Sequence, residues 1–250
     1  MKLQQLLSYT RRAIDSYTMI DEGDKIAIGI SGGKDSLTLL YAMAHLRRFY
    51  PKHFELIAIT VDLGIEGFET TGIAKLCNEL DVEYHVVQTE IYDIIFNIRK
   101  ESNPCSLCAK MRKGALNEKI AELGCNKIAY AHHKDDFMET LLMSLLYEGR
   151  IHTFSPKTYL DKSRLMVIRP LMYVNEGEII SFKNEMQLPV VKAKCAADGY
   201  TKREYAKQLL AQLEKETPGC RGRIFSAIEN GNIKGWPEKI KNPRLQNKGR

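Results

Sequence analysis

Residues 25–35, KIAIGISGGKD, constrain this chain more than any other stretch, because a strand-length apolar run passes directly into a glycine turn carrying a lysine and an acid. Ile26, Ala27, Ile28 and Ile30 give the near-continuous apolar pattern of a strand buried on both faces, as parallel strands are. Over residues 35–48, Leu37, Leu40, Tyr41 and Ala44 recur at helical spacing, so Ser31-Gly32-Gly33 lies at a helix N-terminus. Unpaired backbone N–H groups and the helix dipole make such a terminus an anion site, and Gly32 and Gly33 let the backbone approach the ligand. A Walker A loop is excluded: it needs four residues between its first glycine and the GK pair, then Ser or Thr, whereas Asp35 follows Lys34 here.

The strand–helix alternation continues along the chain. Residues 54–61 repeat the buried-strand signature and end in Asp62-Leu63-Gly64; Ile73, Leu76, Cys77 and Leu80 share a helix face; residues 82–87 form the next strand. A short apolar helix over 91–98 precedes Cys105-x-x-Cys108, which opens a long helix reaching Leu123. Residues 127–131 form a buried strand that ends in His132-His133-Lys134-Asp135-Asp136 at the start of a helix over 137–147. Beyond it the pattern predicts a strand over 166–173, a helix over 176–187, a strand remnant at Pro189-Val190-Val191, and helices over 202–213 and 223–230. Leu3, Leu6, Leu7, Thr10, Ile14 and Tyr17 make residues 3–20 an amphipathic helix docked on the core.

The fold class is therefore α/β, a doubly wound parallel sheet. It is divided into an N-terminal helix (1–20), a main body carrying the anion-site loop (21–217), and a C-terminal helix with a basic tail (218–250). Open parallel sheets bind ligands at the carboxyl ends of their strands, so the 31–36 loop, Asp62 and the 132–136 segment are expected to face one crevice. His132 and His133 also suit a plainer role as strand-ending and helix-capping residues. Asp135 and Asp136, beside a polyphosphate, are placed to hold magnesium, which takes oxygen ligands and bridges phosphates.

Composition narrows the function classes. The 44% hydrophobic content over 250 residues suits one α/β domain with additions, and no apolar run approaches a membrane span. Residues 1–18 lack the uninterrupted apolar segment of a signal peptide, so a cytoplasmic location is expected. Residues 221–250 hold eight Lys/Arg and two Glu, which accounts for the whole net charge of +6 and fits a polyanionic partner. Of six cysteines, Cys77 falls on an apolar helix face, while Cys125 and Cys220 have no partner at ligand spacing. The Cys105/Cys108 pair suits a redox couple, half a zinc site or two iron–sulfur ligands, and no second CxxC exists; Cys195 lies in a loop between predicted elements.

Ser31-Gly32-Gly33-Lys34-Asp35-Ser36 resembles the SGGxDS loop of the PP-loop ATP pyrophosphatases, adenine nucleotide alpha hydrolase-like enzymes that cleave ATP between the α and β phosphates. The segment from Cys105-Ser106-Leu107-Cys108 through Lys110, Arg112 and Lys113-Gly114, with His132-His133-Lys134-Asp135-Asp136 and Ile168-Arg169-Pro170-Leu171, is similar to the TtcA-type tRNA 2-thiocytidine synthetases. The resemblance implies ATP-dependent thiolation of the tRNA cytidine that opens the anticodon loop, position 32, by adenylation of its C2 oxygen. Lys34, Asp35 and Asp136 would be catalytic. Ser31, Gly32, Gly33, Lys34, Asp35, Ser36, Asp62, Ala131, Asp135 and Asp136 would bind ATP, with Mg2+ on Asp35 and Asp136. Cys105, Cys108 and Cys195 would hold a 4Fe-4S cluster, and Lys110, Arg112, Lys202 and Arg203 would meet tRNA. A cysteine desulfurase would donate sulfur, no membrane partner is implied, and a homodimer is compatible. Two positions depart from the family pattern: Lys192 stands where a second CxxC often begins, and Ala131 replaces a glycine before the histidine pair.

Overall fold

The structure is a computed structural model that describes residues 1–99, 104–191 and 202–240; Cys195 and residues 241–250 of the basic tail lie outside the described residues. In chain order the elements are α1 (Leu3–Tyr17), β1 (Asp24–Gly29), α2 (Lys34–Arg47), β2 (Phe54–Asp62), α3 (Thr71–Glu79), β3 (Glu83–Gln88) and α4 (Ile91–Asp93), which runs into a π-helical stretch (Ile94–Ile98). Then follow α5 (Pro104–Glu122), β4 (Lys127–Ala129), α6 (Lys134–Glu148), β5 (Lys157–Leu160), β6 (Leu165–Ile168), α7 (Glu176–Glu185), α8 (Lys202–Glu216) and α9 (Cys220–Asn230).

The six strands lie in the order β3-β2-β1-β4-β6-β5. β1 is central, pairing Ala27 with Ile57 of β2 on one side and with Ile128 of β4 on the other, both in parallel. The order reverses between β1 and β4, the switch point at which open α/β sheets form their ligand crevice.

Period-two alternation explains why both faces are covered. Ile26, Ile28, Leu56 and Ala58 face a large core that also takes in residues of α1, α2, α6, α7 and α9. Ala27, Ile57, Ile59, Ile128 and Val167 face a smaller one closed by Ile91, Ile95 and, from α5, Leu116 and Ile120. Ile26, Ala27 and Ile28 of β1 are thus each claimed by one layer or the other, as the unbroken apolar run requires.

Three expectations need correction. The sheet is not wholly parallel: β5 pairs antiparallel with β6 across the turn at residues 161–164, where Arg164 takes φ 49°. The strand foreseen over 166–173 stops at Ile168, and the chain then turns, with Met172 N–H donating to Arg169 O and Val174 N–H to Leu171 O. Pro189-Val190-Val191 is not a strand but a strut, Val191 N–H donating to Gly32 O at 3.0 Å. No helix among the described residues is long and apolar enough to cross a membrane.

Candidate active site

The 31–36 loop is built by its own hydroxyls. Ser36 Oγ donates to Gly33 O (3.0 Å), accepts the Ser31 N–H (3.2 Å) and lies 3.2 Å from Ser31 Oγ. Gly32 adopts φ +80°, and a Cβ there would sit 3.2 Å from Val191 Cβ and 3.3 Å from the Phe68 ring, so the turn requires glycine. The loop delivers the first turn of α2, whose N–H groups have no partner inside the helix, to the carboxyl edge of β1.

Lys34 Nζ lies 3.1 Å from Asp35 Oδ2 and 3.2 Å from Glu176 Oε1, the first residue of α7. Burial works against its charge, but the two carboxylates win and its pKa is raised. Glu176 is shared with Lys207 of α8 at 2.7 Å; burial favours its neutral form, yet the two lysines hold its carboxyl below the ordinary value. Asp35 Oδ1 is buried with no hydrogen-bond partner and lies 3.8 Å from His133 Nε2. A buried carboxylate oxygen left unpaired is costly unless a cation completes it.

Asp135 and Asp136 diverge although adjacent. Asp136 caps α6, its Oδ2 accepting the His133 N–H at 2.9 Å, while Oδ1 takes Arg203 Nη1 at 3.1 Å. The same Arg203 nitrogen reaches Glu139 Oε2 at 3.1 Å, and burial, then the Asp136 charge, raises the Glu139 pKa. Asp135 is 1% exposed and points the other way: Oδ2 accepts the Glu176 N–H at 2.6 Å and Oδ1 pairs with Arg221 of α9. Its carboxylate fixes α7, and through it Glu176, rather than facing the crevice.

A cavity of about 550 Å³ opens at the switch point, lined by Ser31, Asp35, Ser36, Ala131 and Asp136 on the side of the 31–36 loop and by Ala109, Arg112 and Lys113 of α5 on the other. Of the residues singled out from the sequence, these loop residues and Arg112 are brought together. Asp62 ends β2 outside the lining, its Oδ1 accepting the Gly64 N–H at 2.9 Å. Lys110 is exposed on α5, Lys202 lies over the Tyr147 ring at 4.6 Å, and Arg203 is spent on Asp136 and Glu139.

Cys105 and Cys108 occupy the first turns of α5, one exposed and one half-buried, and neither is in a disulfide. Ala109 and Arg112 follow them by four residues, so the cysteines stand on the helix face that lines the cavity, one turn N-terminal to the lining residues. Two thiols one turn apart, at an accessible helix start, suit a soft-metal ligand set. Cys77 is in the core, where burial pushes its thiol up to about 12. Cys125 sits past the far end of α5, roughly 25 Å along the helix from Cys105.

Sequence reasoning did not single out Glu176, Lys207, Glu139, Arg169 or Tyr130 as site residues. Arg169 Nε donates to His132 Nδ1 at 3.1 Å and its Nη1 to Ser155 O at 2.6 Å, while the His132 ring stacks on Phe154 at 4.1 Å. Burial, followed by the Arg169 charge, pushes the His132 pKa down to about 3. Strand ends marked Tyr130 and Arg169; only tertiary packing marks Glu176 and Lys207.

The ATP_bind_3 family model, a PP-loop domain, matches residues 4–213. The chain is 40% identical over 233 residues to a tRNA-cytidine(32) 2-sulfurtransferase of Geobacter sulfurreducens, covering 92% of this chain and 91% of that protein. It is 41% identical over 222 residues to the protein of the same name from Geobacter metallireducens, covering 88% and 86%. Among solved structures it is similar to the U34-tRNA thiolase NcsA from Methanococcus maripaludis with its 4Fe-4S cluster, at 28% identity and TM-score 0.72, covering 91% of this chain and 79% of that one.

Proposed function

Since the chain belongs to the PP-loop family that includes the tRNA-cytidine(32) 2-sulfurtransferases, we propose that its cavity binds ATP and the target cytidine of a tRNA and carries out ATP-dependent 2-thiolation. The observation that carries the reading is the cavity itself, which joins a phosphate-binding helix start to the cysteine-bearing face of α5.

Oxygen at C2 of cytosine is a poor leaving group. Attack of that oxygen on the α-phosphorus of ATP converts it to an adenylate and expels pyrophosphate, after which sulfide adds at C2 and AMP departs. The N–H groups of the first turn of α2 and the Lys34 ammonium would take up charge on the β and γ phosphates. Glu176 and Lys207 hold Lys34 in place. The orphaned Asp35 Oδ1 and the neighbouring Asp136 suit Mg2+, which would neutralise the phosphates and displace Arg203 from Asp136. A 4Fe-4S cluster held by Cys105, Cys108 and Cys195 would supply sulfide from an iron site that the protein leaves free. The target must be unstacked to enter such a cavity, which favours an anticodon-loop nucleotide. We extend the same reading to a cytoplasmic location, a cysteine desulfurase as sulfur donor, homodimeric assembly, and tRNA contacts from Lys110, Arg112 and Lys202.

Nucleoside analysis of tRNA from a deletion strain tests this. Loss of 2-thiocytidine, restored by the wild-type gene but not by Lys34→Ala or Cys105→Ser, is expected; a normal 2-thiocytidine level in the deletion strain would refute it.

A further inference from the structure

His132 follows β4 and lines the cavity whose opposite wall is α5, so it stands in the space that a base must occupy to reach both the phosphate loop and the cysteine-bearing helix. Its surroundings fix more than its position. Arg169 Nε approaches His132 Nδ1 at 3.1 Å, and a guanidinium can only donate. Nδ1 must therefore be the acceptor, and the single proton of the neutral ring must sit on Nε2.

Arg169 has no freedom to do otherwise. It is 8% exposed, its Nη1 donates to Ser155 O at 2.6 Å and approaches Thr158 Oγ1 at 3.5 Å, and its guanidinium lies over the Phe154 ring at 5.1 Å. Phe154 stacks on His132 from the side, and the Tyr130 ring meets it edge-on at 5.8 Å. The ring cannot flip without breaking the guanidinium bond, because the flip turns the Cδ2–H edge, which cannot accept, toward Arg169 Nε. With Nδ1 committed, Nε2–H is the polar group left to the cavity, and it has no hydrogen-bond partner among the described residues. Burial beside two guanidiniums also keeps the ring neutral at physiological pH.

We propose that Arg169 is a positioning residue that locks His132 as an Nε2–H donor, and that this donor reads the unprotonated N3 of the target cytosine. The proposal rests on the function proposed above. Uracil presents N3–H at the same place, so a fixed donor would meet a donor, each desolvated and unpaired. Such a mismatch gives discrimination of about 100-fold or more. The adjacent C2 oxygen would remain free to attack ATP. β5, the antiparallel edge strand, supplies Thr158 to this assembly, and the segment leading into it supplies Phe154 and Ser155.

The first test reads the tautomer directly, in the unaltered protein and in two Arg169 variants. Nitrogen-15 spectra of histidine-labelled protein should show His132 as the Nε2–H tautomer, moving to a mixed population in Arg169→Met and returning in Arg169→Lys. An Nδ1–H tautomer in the wild type would overturn the assignment. The second test offers anticodon stem-loops with cytidine or uridine at the target position. His132→Phe, which keeps the ring on Phe154, should lower kcat/KM for the cytidine substrate at least ~10-fold. It should also bring the cytidine-over-uridine preference to within about tenfold while leaving the KM for ATP unchanged. A raised ATP KM with base preference intact would mean that the donor serves the nucleotide, and the proposal would fall. Absence of thiolation on either stem-loop by the wild type would instead count against the function reading, with the tautomer result standing apart from it.

Discussion

At the scale of single residues, neighbouring acids and cations in the site divide between chemistry and support. Lys34→Ala removes the charge proposed to meet the phosphates but leaves Glu176 paired with Lys207 at 2.7 Å, so the fold should survive. Pyrophosphate release should fall by about 10²–10³, as when an oriented charge-stabilising group is deleted, with thermal unfolding shifted little. Near-wild-type turnover would sink the phosphate role. Asp135→Ala should behave in the opposite sense. Its buried carboxylate satisfies both Arg221 and the Glu176 N–H, so the variant should lose about 2–4 kcal/mol in denaturant titrations. A stability within 0.5 kcal/mol of wild type, roughly what an exposed substitution costs, would show that Asp135 is not the brace described here.

At the scale of elements, the 31–36 loop depends on the strut that crosses it. Gly32→Ala combines a left-handed backbone conformation with Cβ contacts of 3.2 and 3.3 Å to Val191 and Phe68. It should cost about 1–3 kcal/mol in unfolding experiments and lower ATP affinity with it; an ATP affinity that does not move would dissociate the strut from the site. The buried strands β1, β2 and β4 and the helix start at Lys34 were legible in the sequence, because a double-faced apolar run followed by a glycine turn has few other solutions. β5 was not. Lys157–Leu160 is an edge strand, its side chains half-buried or exposed, with no strong alternation to announce it. The π-helical stretch Ile94–Ile98 was read only as helix, since its apolar spacing does not distinguish the two. Arg203 was legible as a cation, but its destination on Asp136 and Glu139 depends on α8 packing beside α6, which no local pattern records.

At the scale of the whole molecule, the proposed function divides the work between a basic C-terminal segment that binds RNA and a switch-point cavity that reacts with it. Lys239 pairs with Glu229 at 3.0 Å and Ile240 N–H donates to Ser16 O at 2.9 Å, so the tail is tied to the fold up to that point. Removing residues 241–250 deletes Lys241, Arg244, Lys248 and Arg250 and no acid. Affinity for tRNA should drop and its logarithmic salt slope should lessen by about 2–4, with ATP affinity unchanged; an unaltered slope would take the tail out of the RNA interface. In the proposed function, one cavity couples ATP cleavage to sulfur insertion at a tRNA cytidine. Its most direct test is a single-turnover reaction of anaerobically purified, iron-loaded protein with ATP, sulfide and tRNA, following AMP, pyrophosphate and 2-thiocytidine together. All three should appear in equal amounts, with the thiolated base at position 32, and Lys34→Ala should lower all three together. Formation of 2-thiocytidine without AMP, or of AMP and pyrophosphate with no thiolated cytidine from fully loaded protein, would contradict it.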